Sequence, residues 1–600
     1  MNKTDDVLLL ATARDILMRD EAELMPTSSA TSEQRIKLLE TFDHLIRREI
    51  AELPEGILPT LPAQTDPAKQ RARDYLMSVD PNYSDRAATT DNAYEKLKAT
   101  FNERSKLIEA AGILWFIKST ETISSIDKNT VEEVFNYIYG RTQYVLQSPE
   151  VRTLIEEVRT QKDTLPPDDQ RNFALMERDW TLADSLPKEL IEEWIKSTSE
   201  SNNAWVKART ENNFNGWLPH FEKVFDLARK RAEHLARSQE TTPYQALLEE
   251  HNPGLRNETV TRIFGEIAER LPFLTRKVVA KQADDSVLPL PETTPEQQQW
   301  IVAKILEKMG FNSSNSVLAL SEHPFSLGEY DDVRMTVGKH SSDLLSVLMD
   351  VIHEAGHCLY NANQPKEHAG QPIGRYQGTW VHETQSLFWE MQIVRSPEFA
   401  ELIANTIKEE LNLEGPQWSA DNLYKLMTRV KPSLIRINAD EVTYPAHVIL
   451  RHNLEQQLLE GSLAPKDVPA AWNKAMKDLL NVDVPDYAQG CMQDIHWSDG
   501  TIGYFPAYTL GALGAAQLME KAREDMPDIN ENIRTGNFAP ITTWLSDNIH
   551  RHGSKLDGEA LFEQVTGKPL SAEAWLKHIE ERYIKGRWLQ RAERKDIPLE

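Results

Sequence analysis

The sequence is poor in the features that most quickly place a protein in a class. Only two cysteines, Cys358 and Cys491, occur in 600 residues, too far apart to suggest a disulfide framework, so a reducing, cytoplasmic compartment is expected. No run of 18 apolar residues is present, which excludes an ordinary transmembrane helix. The start, Met1-Asn2-Lys3-Thr4-Asp5-Asp6, lacks the cationic segment and small-residue cleavage site of a secretory signal, and export is not expected. Positive charge is in deficit too: a formal net charge of -26 disfavours nucleic acid and anionic membrane as partners. Repeats and low-complexity tracts are missing, and long charged stretches with helical apolar periodicity dominate, so the fold class expected is mainly α.

Prolines punctuate the chain. Residues 1–93 read as an N-terminal helical extension, broken by Pro54, Pro59, Pro62 and Pro67, which cannot continue a helix. Residues 94–290 read as a helical region forming part of a cleft. Within it, from Trp217 to Ser238, Phe221, Val224, Phe225, Leu227, Ala228 and Ala232 trace an apolar stripe among lysines and arginines. Pro289, Pro291 and Pro295 mark a second break, where Thr294, Pro295 and Gln297 make a capping-box helix start. Residues 291–600 carry the chemistry described next. One segment there departs from the helical period: from Asp332 to Val337 polar and apolar residues alternate, the pattern of a half-buried strand with Asp332, Arg334 and Thr336 on one face. Such a strand is expected either to offer an edge to an extended peptide or to be held by an internal Asp332–Arg334 ion pair.

The most informative segment is His353-Glu354-Ala355-Gly356-His357. Positions four apart lie on one helix face about 6 Å apart along the axis, so both imidazoles can hold one Zn²⁺ while Glu354 stands beside it as a base. The setting is helical: Leu344, Leu345, Val347, Leu348, Val351 and Ile352 are spaced for a buried face, and Ser341-Ser342-Asp343 supplies N-caps. Gly356 costs about 1 kcal/mol against alanine inside a helix, which makes sense if a ligand or another backbone comes close. Cys358, about 100° round the helix from His357, is expected to pack rather than ligate. The bland reading, two core histidines and a solvated glutamate, is the weaker one.

A catalytic zinc normally has three protein ligands and one open position. The extended metzincin pattern is excluded, because Tyr360 and Asn363 stand where it requires glycine and histidine. Downstream candidates are Glu367, His368, His382, Glu383 and Glu390. The first two lie in a Pro/Gly-containing loop, whereas His382-Glu383 opens an apolar helical run, Leu387-Phe388-Trp389, on a rigid element better suited to ligation. Arg436, Asp440, Tyr444 and His447 recur at helical spacing, as if one helix face presented them to a cleft, although Pro445 should distort it. The structural alternative for Arg436 is a pair with Asp440.

His382-Glu383-Thr384-Gln385-Ser386 resembles the motif HES(Q/G) that follows HExxH in the carboxypeptidase Taq family of metallocarboxypeptidases, part of the gluzincin group. Thr384 replaces the usual serine. The family's HPF resembles His323-Pro324-Phe325, its DxRxT Asp332 to Thr336, its IRxxAD Ile435 to Asp440, and its GxxQDxHW Gly490 to Trp497. Gly503-Tyr504-Phe505-Pro506 is similar to its Gly-Tyr-Phe-Pro loop, and the resemblance spans roughly Tyr94 to the C-terminus. It implies a large helical metallopeptidase with a central cleft and a small β element beside the metal helix. It further implies His353, His357 and Glu383 as ligands of zinc, with cobalt as an alternative, Glu354 as general base and then acid, and a homodimer. For Arg436 it implies a grip on the substrate's C-terminal carboxylate, for which a planar guanidinium is the bidentate match. His496 and Tyr504 match positions that hydrogen-bond the scissile carbonyl or its oxyanion. Tyr508 rivals Tyr504 but is expected rather to pack, and His382 either orients substrate or bonds the helix start. Gly500 and Gly503 suggest a loop that moves. The implied function is release of single residues from peptides with a free C-terminus; the alternatives are an endopeptidase or dipeptidyl carboxypeptidase on the same scaffold, or a non-catalytic metal-binding helical protein.

Overall fold

The computed structural model describes residues 92–120, 128–311, 316–321, 324–338 and 343–586. Apart from residues 92 and 93, the extension expected over 1–93 lies outside them, as do His323, Ser341 and Ser342. The described chain is mainly helical with one small sheet. Helix α1 (Ala93–Ser119) starts where the Asn92 side chain accepts the Tyr94 N–H at 2.9 Å. Its Tyr94, Leu97 and Phe101 pack with Leu154, Ile155, Val158 and Phe173 in a satellite core. From Trp205 onward buried residues form one continuous core reaching Tyr583. Helix α2 (Phe214–Gln239) buries the whole apolar stripe from Phe221 to Ala232, as its period requires. Helices α3 (Pro243–His251) and α4 (Pro295–Lys308) follow, the latter with both arms of the Thr294/Gln297 capping box formed. No helix among the described residues is long and apolar enough to cross a membrane.

Strands β1 (Ser316–Ser321), β2 (Ser326–Glu329) and β3 (Asp332–Gly338) make a sheet in the order β1-β3-β2, with β1 parallel and β2 antiparallel to β3. This corrects the expectation for 332–337. The strand exists, but it is central, so both its edges are already paired, and Val333 through Val337 are buried on both faces. Arg334 tolerates that burial because its Nε and Nη2 donate to Asp332 at 3.0 and 2.8 Å while its guanidinium lies 5.7 Å from the centre of the Phe116 ring of α1. The ion-pair alternative is therefore the one seen.

Helix α5 (Leu344–Ala362) carries the HExxH residues, with Asp343 as N-cap accepting the Leu345 N–H at 3.2 Å. It crosses helix α6 (Gly378–Leu387) at Gly356, where an added Cβ would lie 2.7 Å from Ser386 Cα and 2.8 Å from the Gln385 carbonyl oxygen. The close neighbour is thus another backbone. Helix α7 (Tyr444–Glu460) and helix α8 (Pro506–Asp525) complete the centre. α8 also packs on α6 through glycines, here mainly against side chains: a Cβ on Gly511 would sit 2.7 Å from Glu383 Cγ and 3.1 Å from its backbone carbonyl carbon, and one on Gly514 2.6 Å from Thr384 Oγ1. Glycines on both sides let the three helices pack closely, and this seats Glu383 opposite the α5 histidines.

Candidate active site

His353, His357 and Glu383 offer ligand atoms that all lie within 4.8 Å of one another. His353 Nε2 is 3.8 Å from Glu383 Oε1, and His357 Nε2 is 3.5 Å from Glu383 Oε2. With metal–ligand bonds of about 2.0–2.2 Å, two ligands of a tetrahedral ion stand roughly 3.4 Å apart, so the donor set fits one divalent cation. The histidine rings are nearly perpendicular, 4.9 Å between centroids. Glu354, directly after His353, is buried.

His353 is oriented from behind. Its Nδ1–H donates to Glu390 Oε2 at 2.9 Å, which leaves Nε2 for the cation, and Glu390 Oε1 accepts from Arg395 Nη2 at 2.8 Å. Burial alone would lower the His353 pKa, but the Glu390 hydrogen bond and the charges of Glu383, Glu390 and Glu354 outweigh it and raise it to about 10. Burial likewise opposes ionisation of Glu390, yet His353 and Arg395 hold it down at about 2. The surroundings therefore favour positive charge at this spot, as a cation site requires. Glu390 lies in a π-helical turn, Phe388–Val394, that continues α6. It was among the sequence candidates as a ligand; here it hydrogen-bonds His353 from behind.

His382 stands in the second turn of α6 rather than at its start, because the helix begins at Gly378. Its ring stacks on His357 with 4.3 Å between centroids, and its Nε2 bonds Asn361 Oδ1 at 2.9 Å. Burial, then the neighbouring histidines, push its pKa well down, so the ring stacked on His357 is neutral. Thr384 turns away, donating to the Trp380 carbonyl oxygen at 2.9 Å. Glu367 is exposed, and His368 faces Asp168 at 3.7 Å. Cys358 is buried with its Sγ 3.8 Å from the Arg334 carbonyl oxygen.

The opposite wall comes from α7, α8 and the loops before them. Arg436 lies in a single 3-10 turn, Arg436–Asn438, and α7 begins only at Tyr444 with Pro445 in its first turn. The shared helical face expected for Arg436, Asp440, Tyr444 and His447 is thus broken: Pro445 starts the helix, where its missing N–H is harmless, rather than distorting it. Asp440 instead accepts the backbone N–H groups of Val442, Thr443 and Lys431, each at 3.0 Å, and Arg436 pairs with Asp494, its Nη2 3.0 Å from Oδ1. Nothing in the local spacing announces that partner, 58 residues away. The Arg436 guanidinium also lies over the Tyr508 ring, 4.5 Å from its centroid.

Tyr508 bonds His496 Nε2 at 3.1 Å. The Tyr504 ring packs against His251 and His496, with centroids 5.3 and 5.9 Å away, while its hydroxyl bonds no other described residue. Burial, then Arg436, keeps His496 neutral with a pKa of about 3. Burial pushes the Tyr444 and Tyr508 phenols up, and both also sense the charges of Arg436 and Glu383; their ring centroids lie 6.4 Å apart. Gly503, at φ +81°, is where the loop passes against the Leu247 backbone of α3, with a Cβ there only 3.0 Å from the Leu247 carbonyl carbon.

The model of a family described as carboxypeptidase Taq (M32) metallopeptidase matches residues 96–583. Thermostable carboxypeptidase 1 of Pyrococcus furiosus is 33% identical over 446 residues, covering 73% of this chain and 88% of that protein. Thermostable carboxypeptidase 1 of Thermus thermophilus is 33% identical over 452 residues, with the same 73% and 88% shares. Among solved structures, Trypanosoma cruzi metallocarboxypeptidase 1 superposes with a TM-score of 0.80 at 32% identity, over 82% of this chain and 99% of that one.

Proposed function

The chain belongs to the carboxypeptidase Taq (M32) family of metallopeptidases, and from that premise we propose how it releases amino acids from peptide C-termini. It is a metallocarboxypeptidase; the ion we assign is zinc, because two imidazoles and one carboxylate leave the open fourth position of a catalytic zinc site. When bound, zinc supplies Lewis acidity, making water acidic near neutral pH and drawing electron density from a peptide carbonyl. Glu354 takes a proton from the attacking water and returns it to the leaving amine. Tyr504, whose hydroxyl is uncommitted, and His496, a neutral ring with a single N–H to donate, receive the charge that develops on the carbonyl oxygen. Tyr508 is engaged with His496 and Arg436 and acts as a brace on the substrate-binding side, and His382 keeps the His357 ring upright.

Arg436 binds the free carboxylate of the peptide and so ties cleavage to the chain end. The observation carrying the reading is a buried guanidinium lying over the Tyr508 ring, 4.5 Å from its centroid, with Tyr508 in turn bonded to His496 at 3.1 Å. The experiment is Arg436→Ala, assayed on one peptide with a free C-terminus and on its C-terminal amide. The free acid should lose about 100-fold or more in kcat/KM, as expected for a charge-assisted pair worth about 3 kcal/mol, with metal content unchanged and the amide little affected. Equal losses on both would remove Arg436 from this role.

A further inference from the structure

Behind Arg436 sits a charge arrangement that the mechanism above does not use. Arg436 donates through Nε and Nη2 to Asp494 Oδ1 at 3.2 and 3.0 Å, and Arg451 Nη2 closes on Asp494 Oδ2 from the other side. The Arg436 and Arg451 side chains are 7% and 1% exposed and that of Asp494 12%, and among the described residues no other carboxylate makes an ion pair with either guanidinium. Arg451 is pinned between the Trp472 and Phe505 rings, 4.4 and 5.2 Å from their centroids, and its Nη1 donates to the His447 carbonyl oxygen at 2.5 Å. The nearby His447 is buried with neither ring nitrogen bonded, and burial, then Arg451, holds it neutral with a pKa of about 3. Glu455, one turn on from Arg451, spends its oxygens on Trp497 Nε1 at 2.9 Å and the Gly503 N–H at 3.0 Å. Two arginines therefore share one aspartate in direct ion pairs, while the next carboxylate that acts on Arg451, Glu455, is pushed up by burial to about 7 and is committed to Trp497 and Gly503, so the direct pairing leaves one positive charge in excess.

We propose that Arg451 is a positioning residue for substrate recognition: by claiming half of Asp494 it stops that carboxylate from cancelling the charge of Arg436, and the peptide's C-terminal carboxylate is the counterion the cluster lacks. Burial, with Arg436 next after Asp494 among the charges acting on it, pulls the Arg451 pKa down to about 10, consistent with a guanidinium short of negative partners yet charged at neutral pH. The inference rests on Arg436 binding the carboxylate.

The test is a charge ladder read as KM and kcat on a free-carboxylate peptide, with metal content checked. Arg451→Met leaves Asp494 to neutralise Arg436 alone, so KM should rise about tenfold with kcat within about threefold. Asp494→Asn added to Arg451→Met restores the excess charge, and KM should return to within about threefold of wild type. Arg451→Lys keeps the charge and should keep KM. A folded, metal-loaded Arg451→Met with unchanged KM overturns the proposal, as does a loss in kcat and KM together that Asp494→Asn does not repair, the outcome of a merely structural role. If Arg451→Met fails to fold, Arg451→Gln carries the same test: a tenfold KM rise supports the proposal and an unchanged KM in the folded, metal-loaded variant overturns it. Loss of free-acid preference in Arg436→Ala without the predicted ladder defeats this inference alone, whereas unchanged preference in Arg436→Ala defeats the reading beneath it.

Discussion

Replacing Gly356 by alanine would separate two helices that must stay close for the metal site to exist. A Cβ at 356 would lie 2.7 Å from Ser386 Cα, whereas ordinary contact begins at 3.4 Å, so α5 and α6 must part by at least about 0.7 Å at this point. Neither neighbour is a flexible side-chain end; both are backbone. The substitution gains about 1 kcal/mol of helix propensity, but overpacking of this kind costs about 1–3 kcal/mol, so net destabilisation of up to about 2 kcal/mol is expected. The larger effect falls on the ligands. His357 follows Gly356 and Glu383 precedes Ser386 by less than one turn, while a metal site tolerates distance errors of only about 0.2 Å. Metal affinity should fall about 10–100-fold, measured by competition with a chromogenic chelator alongside a thermal melt. Unchanged affinity together with an unchanged melt would refute the claim that the glycine contact sets the ligand geometry.

Further outcomes follow from the same arrangement. Glu354→Gln should keep its metal and lose about 10²–10⁴ in kcat, measured on a blocked dipeptide. Tyr504→Phe should lower kcat about 10²–10³-fold, whereas Tyr508→Phe, which removes the His496 contact, should mainly raise KM; the reverse pattern would exchange their roles. Glu455 is buried, and burial outweighs its hydrogen bonds from Trp497, Gly503 and Tyr244 to raise its pKa from 4.5 to about 7. The folded state then holds a proton that the unfolded state releases, so this contribution to stability is full below pH 4.5 and is lost as pH rises through about 7. Relative to Glu455→Gln, wild type should lose up to about 3 kcal/mol across that window in urea titrations, and parallel pH profiles would contradict the assignment.

What sequence could reveal divides by distance along the chain. The α5 ligands were legible because four-residue spacing fixes a helix face, and Gly356 was legible as a close approach, although only the structure identifies the α6 backbone as its neighbour. Glu383 could be favoured because it lies on a rigid apolar helix. The alternation from Asp332 to Val337 disclosed a strand but not its place in the sheet, since that depends on pairing with Ser316–Ser321 and Ser326–Glu329, short segments with little pattern of their own. Periodicity misled at Arg436. It linked that residue to Asp440 across a stretch that is not helical, whereas the electrostatically dominant partner, Asp494, arrives from a loop beyond α7. Arg451 escaped notice for the same reason: its position inside α7 is unremarkable until Asp494 is brought against it.

The most direct test of the account is a timed digest of an unblocked peptide by purified, metal-quantified protein, followed by mass spectrometry, before and after chelation. The account predicts about one zinc per chain, a ladder of products shortened one residue at a time from the C-terminus, and no products after chelation until metal is restored. Internal fragments, losses of two residues at a step, or undiminished digestion by chelated protein would contradict it.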